Sequence, residues 1–356
     1  MDDNNNKIKI NMLSMADSVD GQGVGSAYLE LMKLLNEDGK NDFEIFLNKG
    51  TKYDIIHAHT VEPRNYLKLK FSKNPTVAYV HFLPDTLDGS IKLPKPIFKI
   101  FKKYVISFYK SADYLVVVNP IFKKDIVKAG IKEDKITYIP NFVSKEMFYK
   151  KTDKEIKDIR KKLGIKENKF VVLGAGQIQN RKGVIDFVEV AKKLPKIDFI
   201  WAGGFSFGGI TDGHHDLKKI MENPPKNVRF LGIVPRNEMN DLFNASDLLF
   251  VPSYNELFPM TILEAISTDT PILLRDLELY EDILFKKYLK GSNNDEFSEI
   301  IKLLSKDKKK YQKQVENAKE ISKFYSKEHV YKMWKEFYTE IAKKKKKEKK
   351  KRKKSE

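Results

Sequence analysis

Two glutamates eight positions apart, Glu256 and Glu264 in NELFPMTILEA (255–265), have the types and spacing to do chemistry. The first follows the apolar run DLLFVPS and falls in a loop. The second falls about one turn into a helix spelled by MTILEAIS, with Pro259 suited to its first position. Carboxylates accept hydrogen bonds from hydroxyls, so the pair suits a polyhydroxyl ligand: a sugar on Glu256 and a ribose diol on Glu264. The backbone of Leu257, Phe258, Pro259 and Met260 then starts a helix near phosphate. The alternative is structural, with Glu264 capping or salt-bridging a helix and Glu256 merely exposed; it accounts for either residue alone better than for both.

A second cluster stands in LGAGQIQNRKG (173–183), where Gly176 and Gln177 lead to Arg181 and Lys182 ahead of the helical pattern GVIDFVEVAKKL. Backbone amides, a helix start and two cations converge where a diphosphate would sit. Adjacent basic residues are also ordinary surface charge; what favours a site is their position at the carboxyl end of a strand. In DGQGVGSAYLELMKLL, Gly21, Gly23 and Gly25 precede a helix, but Ser26 fills the third glycine position of a dinucleotide fingerprint, so a nicotinamide enzyme fits poorly. A ligand-facing loop and a plain flexible turn are equal readings there.

Of the histidines, His57 and His59 lie on the apolar run DIIHAH and read as core, while His81 closes TVAYVHF and is retained as a candidate. His214 and His215 follow a glycine-rich stretch and read as loop. No convincing metal cluster is present, no cysteine supplies a thiolate, and stimulation by Mg2+ is not something a sequence reveals.

The elements that must position these residues form a repeating rhythm. Apolar runs at 8–13, 54–59, 76–82 and 114–118, and then at 169–176, 197–203, 228–232, 247–252 and 271–274, alternate with helical patterns. Strands and helices in that alternation make parallel sheets covered on both faces, here twice over. A charged stretch without core periodicity places a linker near 145–155. Near the end, Val330, Met333, Trp334, Phe337 and Ile341 recur at helical spacing, a final helix with a face to bury.

Composition bounds the rest. The 356 residues suffice for two cores, and 41% hydrophobic content marks a packed protein. The start MDDNNNKIKINML lacks the basic and apolar regions of a signal peptide, and no apolar run is long enough to span a bilayer. The net charge is +18, and residues 343–356 supply about half of it, with eleven Lys or Arg against two Glu. Such a run is a solvated end, a nucleic-acid arm or an anchor for anionic lipid. Residues 92–110, KLPKPIFKIFKKYVISFYK, would as a helix set Ile97, Phe98, Phe101, Tyr104, Val105 and Phe108 against Lys99, Lys102 and Lys103. Both an interfacial helix and an ordinary core-facing helix have that pattern; the basic tail tilts the reading toward a membrane surface.

The E-x7-E element, the GxG…RKG element, DIIHAH, VVNP and IPNFV, in their order, resemble the GT-B glycosyltransferases of family 4, retaining enzymes that use nucleotide sugars. More narrowly, NMLSMADSVDGQGVGSAYLELM, YVHFLPDTL and PSYNELFPMTILEA are similar to bacterial enzymes that glycosylate diacylglycerol or its monoglycosyl derivative. The resemblance implies an α/β GT-B fold: two Rossmann-like domains facing a central cleft, with a C-terminal helix packing back on the body. It implies an acceptor- and membrane-side domain over 1–148, a nucleotide-sugar domain over 149–324, a returning helix over 325–342 and a disordered polybasic tail over 343–356.

The implied donor is a UDP-hexose, with no tightly bound cofactor. Glu256 would contact the donor hexose and support positive charge at its anomeric carbon, and Glu264 would bind the ribose. Arg181 and Lys182 would hold the diphosphate in place of a metal, flanked by Gly176 and Gln177 and, from the first domain, by Gly23 and Gly25. His81 would face the reacting centre or the acceptor, and Asp85 the acceptor hydroxyl. Phe142 departs from the family pattern, which has glycine after Asn141. The implied activity is transfer of glucose or galactose to monoglucosyl-diacylglycerol at the cytoplasmic face of a bacterial membrane. First-sugar transfer to diacylglycerol, or transfer to a soluble or polysaccharide acceptor, is the alternative. A basic nucleic-acid-binding protein is the reading from another class, and no nucleic-acid-binding motif supports it.

Overall fold

The computed structural model describes residues 7–14, 23–49, 52–84, 94–205, 214–256 and 258–355. Gly21, Asp85 and Leu257 lie outside the described residues. The chain divides into two units: residues 1–142 with 327–356, and residues 143–326.

The first unit begins with β1 (Ile8–Leu13), α1 (Gly23–Glu37), β2 (Phe43–Leu47), β3 (Ile55–Ala58), α2 (Pro63–Phe71) and β4 (Thr76–Val80). It continues through α3 (Lys95–Lys110), β5 (Tyr114–Val117), α4 (Ile121–Lys128) and β6 (Ile136–Tyr138). The six strands pair in parallel in the order β2-β1-β3-β4-β5-β6. β3 and β4 are buried at every position, as strands covered on both faces must be. Their apolar runs were therefore legible. The edge strands β2 and β6 are half exposed and have no such run.

In the second unit the chain forms α5 (Asp153–Lys162), β7 (Val171–Ala175), α6 (Val184–Lys193), β8 (Asp198–Ala202), α7 (His214–Glu222) and β9 (Val228–Phe230). Then come α8 (Arg236–Ala245), β10 (Leu248–Val251), α9 (Met260–Ser267), β11 (Ile272–Arg275), α10 (Leu279–Ile283), β12 (Leu289–Gly291), α11 (Asn294–Lys306) and α12 (Lys308–Phe324). The parallel order is β12-β11-β10-β7-β8-β9. The chain leaves β7 toward β8 and β9, then crosses back to lay β10 on the other flank of β7, with Leu248 opposite Val172. Loops leaving β7 and β10 therefore diverge around one crevice, the place where open parallel sheets bind ligands. Beneath it, Phe187 packs edge-on against Phe199 and Trp201, at centroid distances of 5.2 and 5.1 Å.

The expected linker at 145–155 is anchored structure instead. Phe148 is fully buried against Phe243, and the side chains of Asn240 and Asn244 accept the amides of Tyr149 and Lys151 at 3.1 and 2.8 Å. Thr152 and Glu155 then cap α5 reciprocally. The change of unit comes at 142/143, because those asparagine contacts hold residues 149–151 to the second unit.

The last helix, α13 (Lys327–Ser355), returns to the first unit. Trp334 and Tyr338 are buried and stacked at 5.3 Å, Lys335 pairs with Asp42 at 2.8 Å, and Tyr331 donates to the same carboxylate. The basic run from 343 onward, expected to be disordered, continues the helix to Ser355. Lysine is a good helix former, and a helix already nucleated by packing extends one bond per residue. Among the described residues no helix is long and apolar enough to cross a membrane.

Candidate active site

After β7 the chain makes one tight turn over Asn180–Lys182 and enters α6 through Gly183. Gly183 has φ +69°, and a Cβ there would lie 2.4 Å from the carbonyl oxygen of Pro252, the residue that follows β10. Only glycine both adopts that conformation and lets the two loops approach. Behind them, a Cβ on Gly203 would lie 1.8 Å from the Gly176 carbonyl, so a second glycine fixes the path of the strand end beside Lys182.

This approach closes the site. Lys182 Nζ donates to Glu256 Oε1 at 2.5 Å, with the two side chains 14% and 5% exposed. Burial pushes the lysine pKa down and the neighbouring Arg181 adds to this, while Glu256 pulls it back up. Arg181 donates from Nε to Gln179 Oε1 at 2.8 Å, and its carbonyl accepts the Tyr254 amide at 2.8 Å. Gln177 accepts from Gln179 at 3.0 Å. Two cations and a buried carboxylate thus meet at the switch point, with Gly176 alongside: a Cβ there would come within 3.9 Å of Lys182.

Glu264 sits on α9, nearly buried, 3.5 Å from Arg236 Nε at the start of α8. The ion pair is the structural alternative raised for this residue, and Arg236 was not singled out from the sequence. Pro259 caps α9, which begins at Met260, rather than occupying its first position. The Phe258 side chain is buried near Tyr325, at a ring distance of 5.6 Å, so its backbone is the part able to serve a ligand. Tyr280, fully buried on α10, has its hydroxyl pKa raised by burial and further by Glu256.

In the first unit, Gly23 and Gly25 lie in the first turn of α1 rather than in a loop before it. His81 follows β4 and is buried. Its Nε2 lies 3.4 Å from His59 Nδ1, and His57 Nδ1 lies 2.7 Å from the Tyr338 hydroxyl. Burial pushes His57 and His81 down to about 3, and His59 well below its ordinary value. All three rings are therefore neutral near pH 7. His57 and His59 are not satisfied core residues, because each leaves Nε2 without a hydrogen-bond partner among the described residues. His214 and His215 open α7 rather than lying in a loop. Among the described residues no group of three or more His, Cys, Asp or Glu could hold a metal ion.

Helix α3 divides along its length. Val105, Phe108 and Tyr109 are buried, whereas Ile97 and Ile100 are 53% and 68% exposed. Tyr66 of α2 packs beside Tyr104 of α3, and α2 leaves Leu67 and Phe71 largely in solvent. Neither helix contains an acidic residue.

Comparison with known proteins gives this geometry a family. Residues 155–321 match Glycosyl transferases group 1, and residues 40–146 match Glycosyltransferase Family 4. The chain is 48% identical over 334 residues to the alpha-galactosylglucosyldiacylglycerol synthase of Streptococcus pneumoniae, covering 93% of this chain and 89% of that one. It is 29% identical to the processive diacylglycerol alpha-glucosyltransferase of Acholeplasma laidlawii, over 90% and 94% of the two chains. Among solved structures, the complex of Anabaena Alr3699/HepE with UDP-glucose superposes with a TM-score of 0.75 at 18% identity, over 94% of this chain and 100% of that one. The sucrose-phosphate synthase of Thermosynechococcus elongatus superposes with a TM-score of 0.78 at 14% identity, over 94% and 99%. At these identities the structural matches speak to the fold alone. With both family regions matched and a close relative spanning nearly the whole chain, the protein belongs to the group 1/family 4 glycosyltransferases of the GT-B class.

Proposed function

We propose that the enzyme transfers a hexose from a UDP-sugar to monoglucosyl-diacylglycerol with retention of anomeric configuration, giving a dihexosyl-diacylglycerol. The observation that carries the chemistry is the Lys182–Glu256 contact at the switch point, beside Arg181. In the reaction the bond from the anomeric carbon to the β-phosphate oxygen breaks, and a bond from that carbon to the acceptor oxygen forms. Lys182 and Arg181 stabilise the negative charge gathering on the departing diphosphate, and Glu256 the positive charge on the hexose. Glu264 holds the ribose hydroxyls, with Arg236 fixing its carboxylate. Gly23 and Gly25, at the α1 N-terminus, are further donor-binding candidates. His81 orients the acceptor hydroxyl as a neutral imidazole. With a pKa near 3 it is too weak a base to keep the proton, so the acceptor proton departs with UDP. Asp85 is a further acceptor-side candidate.

The acceptor assignment leans on the likeness to the Streptococcus pneumoniae synthase. The name of the Acholeplasma laidlawii relative favours a second reading, transfer to diacylglycerol itself. We further propose that the enzyme works as a peripheral protein on the cytoplasmic membrane face. Anionic lipid would be met by α3, by its neighbour α2, which was not anticipated from the sequence, and by the basic end of α13.

The test is transfer of radiolabelled hexose from UDP-glucose and UDP-galactose into mixed micelles holding an anionic lipid and either acceptor. Label is expected in the product with monoglucosyl-diacylglycerol, and Glu256→Gln and Lys182→Ala are each expected to lower kcat by about 100-fold or more. Label with diacylglycerol alone would establish the second reading. Lack of any lipid product would overturn both.

A further inference from the structure

Two arginines in the second unit spend all their guanidinium nitrogens on the protein, at opposite ends of the same strands. Arg160 bonds the Ala245 and Lys169 carbonyls and pairs with Asp247 at 2.7 Å. Asp247 in turn accepts the Val171 amide. Those groups precede β7 and β10, so Arg160 ties the amino ends of the strands, remote from the switch point. Arg275 ends β11, at the carboxyl edge. Its Nε donates to the Pro252 carbonyl at 2.8 Å, Nη1 to the Ser292 carbonyl at 3.2 Å, and Nη2 to Asp186 Oδ2 at 2.9 Å. The guanidinium carbon lies 3.9 Å from the centre of the Tyr254 ring.

Three partners of Arg275, Pro252, Tyr254 and Asp186, belong to segments that carry the site, and the Ser292 carbonyl anchors the fork to the end of β12. Pro252 and Tyr254 begin the loop that delivers Glu256, and Asp186 lies in the first turn of α6, four residues after Lys182. The Pro252 carbonyl that Arg275 holds is the one pressed against Gly183, and the Tyr254 amide bonds the Arg181 carbonyl. One fork therefore spans both loops whose ends place Lys182 and Glu256 at 2.5 Å.

We propose that Arg275, with Tyr254 stacked on it, is a positioning residue for transfer: it holds the Glu256 loop in register with the Arg181–Lys182 turn and touches no substrate itself. The inference rests on the reading of Glu256 and Lys182 as the reacting site. A lysine at 275 retains the charge for Asp186 but cannot keep the three-way fork or the stacking. A displacement of about 1 Å in such a site can cost up to about 100-fold in rate.

The test compares Arg275→Lys, Tyr254→Ala and Arg160→Lys, each also in a Glu256→Gln background. It measures kcat and KM for the UDP-hexose with monoglucosyl-diacylglycerol micelles, thermal midpoint, and affinity for UDP. Arg275→Lys is expected to lower kcat by about 10- to 100-fold with UDP affinity within about threefold. In the Glu256→Gln background it should cost less than about twofold further, because coupled residues are not additive. Arg160→Lys should lower the thermal midpoint with little change in kcat. Tyr254 is 54% exposed, so Tyr254→Ala folds even where Arg275→Lys does not, and should lower kcat in the same direction. The positioning role is overturned if Arg275→Lys and Tyr254→Ala retain wild-type kcat, or if the Arg275→Lys losses multiply unchanged in the Glu256→Gln background. Wild-type turnover by Glu256→Gln would instead overturn the reading of the site itself, and the brace with it.

Discussion

Glu256 and Glu264 look alike in the sequence, but their surroundings give them different work. Glu256 is paired with Lys182, the cation proposed to meet the leaving group, so on that reading its loss should appear in kcat. Glu264 is paired with Arg236, and in the proposed role on the ribose it would contribute equally in ground state and transition state. Glu264→Gln is accordingly expected to raise KM for the UDP-hexose by about tenfold with kcat within about threefold, measured by steady-state kinetics; an equal loss in kcat would place Glu264 at the reacting centre. Arg181, Lys182 and Glu256 stand out in the sequence as charge beyond an apolar run, and Glu264 as the one charge in the helix MTILEAIS. Arg275 carries the same signal in PILLRD, but its three-way fork forms only between assembled loops, and the pairing of Arg236 with Glu264 depends on packing between α8 and α9 that no local pattern encodes. The histidines supply a residue-scale prediction of their own. Burial puts the folded pKa values of His57 and His81 at about 3 and that of His59 well below the ordinary 6.5, so the stability they permit is complete above pH 6.5 and is lost progressively as pH falls below it. The thermal midpoint should drop across that window, and less steeply in His57→Leu; a flat profile would mean the rings are hydrated.

At the scale of elements, the buried strands were readable, as was the edge strand β9 in VRFLG, and the other three edges were not. β4, β7 and β10 are buried along their whole length and, apart from Thr76, consist of apolar residues and glycine. β2, β6 and β12 are partly solvated edges whose mixed residues resemble loop. Strand order was beyond reach for a different reason: the crossover that sets β10 beside β7 is fixed by which faces the intervening helices cover, a property of the whole sheet. That crossover makes Gly183 matter. Alanine there meets the Pro252 carbonyl in addition to about 1–2 kcal/mol for the left-handed conformation. Gly183→Ala should therefore lower the urea midpoint of the second unit by an amount above that range and reduce kcat as well. A variant with normal kcat despite the clash would show that the loop junction yields without moving Lys182 and Glu256.

For the whole molecule the dominant feature is charge, +18 with about half in residues 343–356. A dispersed charge of that size makes a protein soluble and generally sticky to anions, and would give binding that salt abolishes and apolar substitutions leave alone. The first unit carries more than charge: Ile97 and Ile100 on α3, and Leu67 and Phe71 on α2, stand in solvent among lysines with no acidic residue on either helix. Burying one such side chain in an interface contributes about 2 kcal/mol, comparable to two lysines near anionic lipid. Replacing Ile97 and Ile100 together by Asp should then weaken sedimentation with phosphatidylglycerol vesicles by on the order of 100-fold or more, while activity on acceptor in detergent micelles stays near wild type because neither residue belongs to the site. Removing residues 348–356 should weaken vesicle binding too, but with an effect that vanishes as salt is raised, since that segment supplies charge alone. If the double Asp variant binds vesicles as well as the wild type, the exposed isoleucines do not enter lipid, and the attraction of this protein for membranes would be electrostatic only.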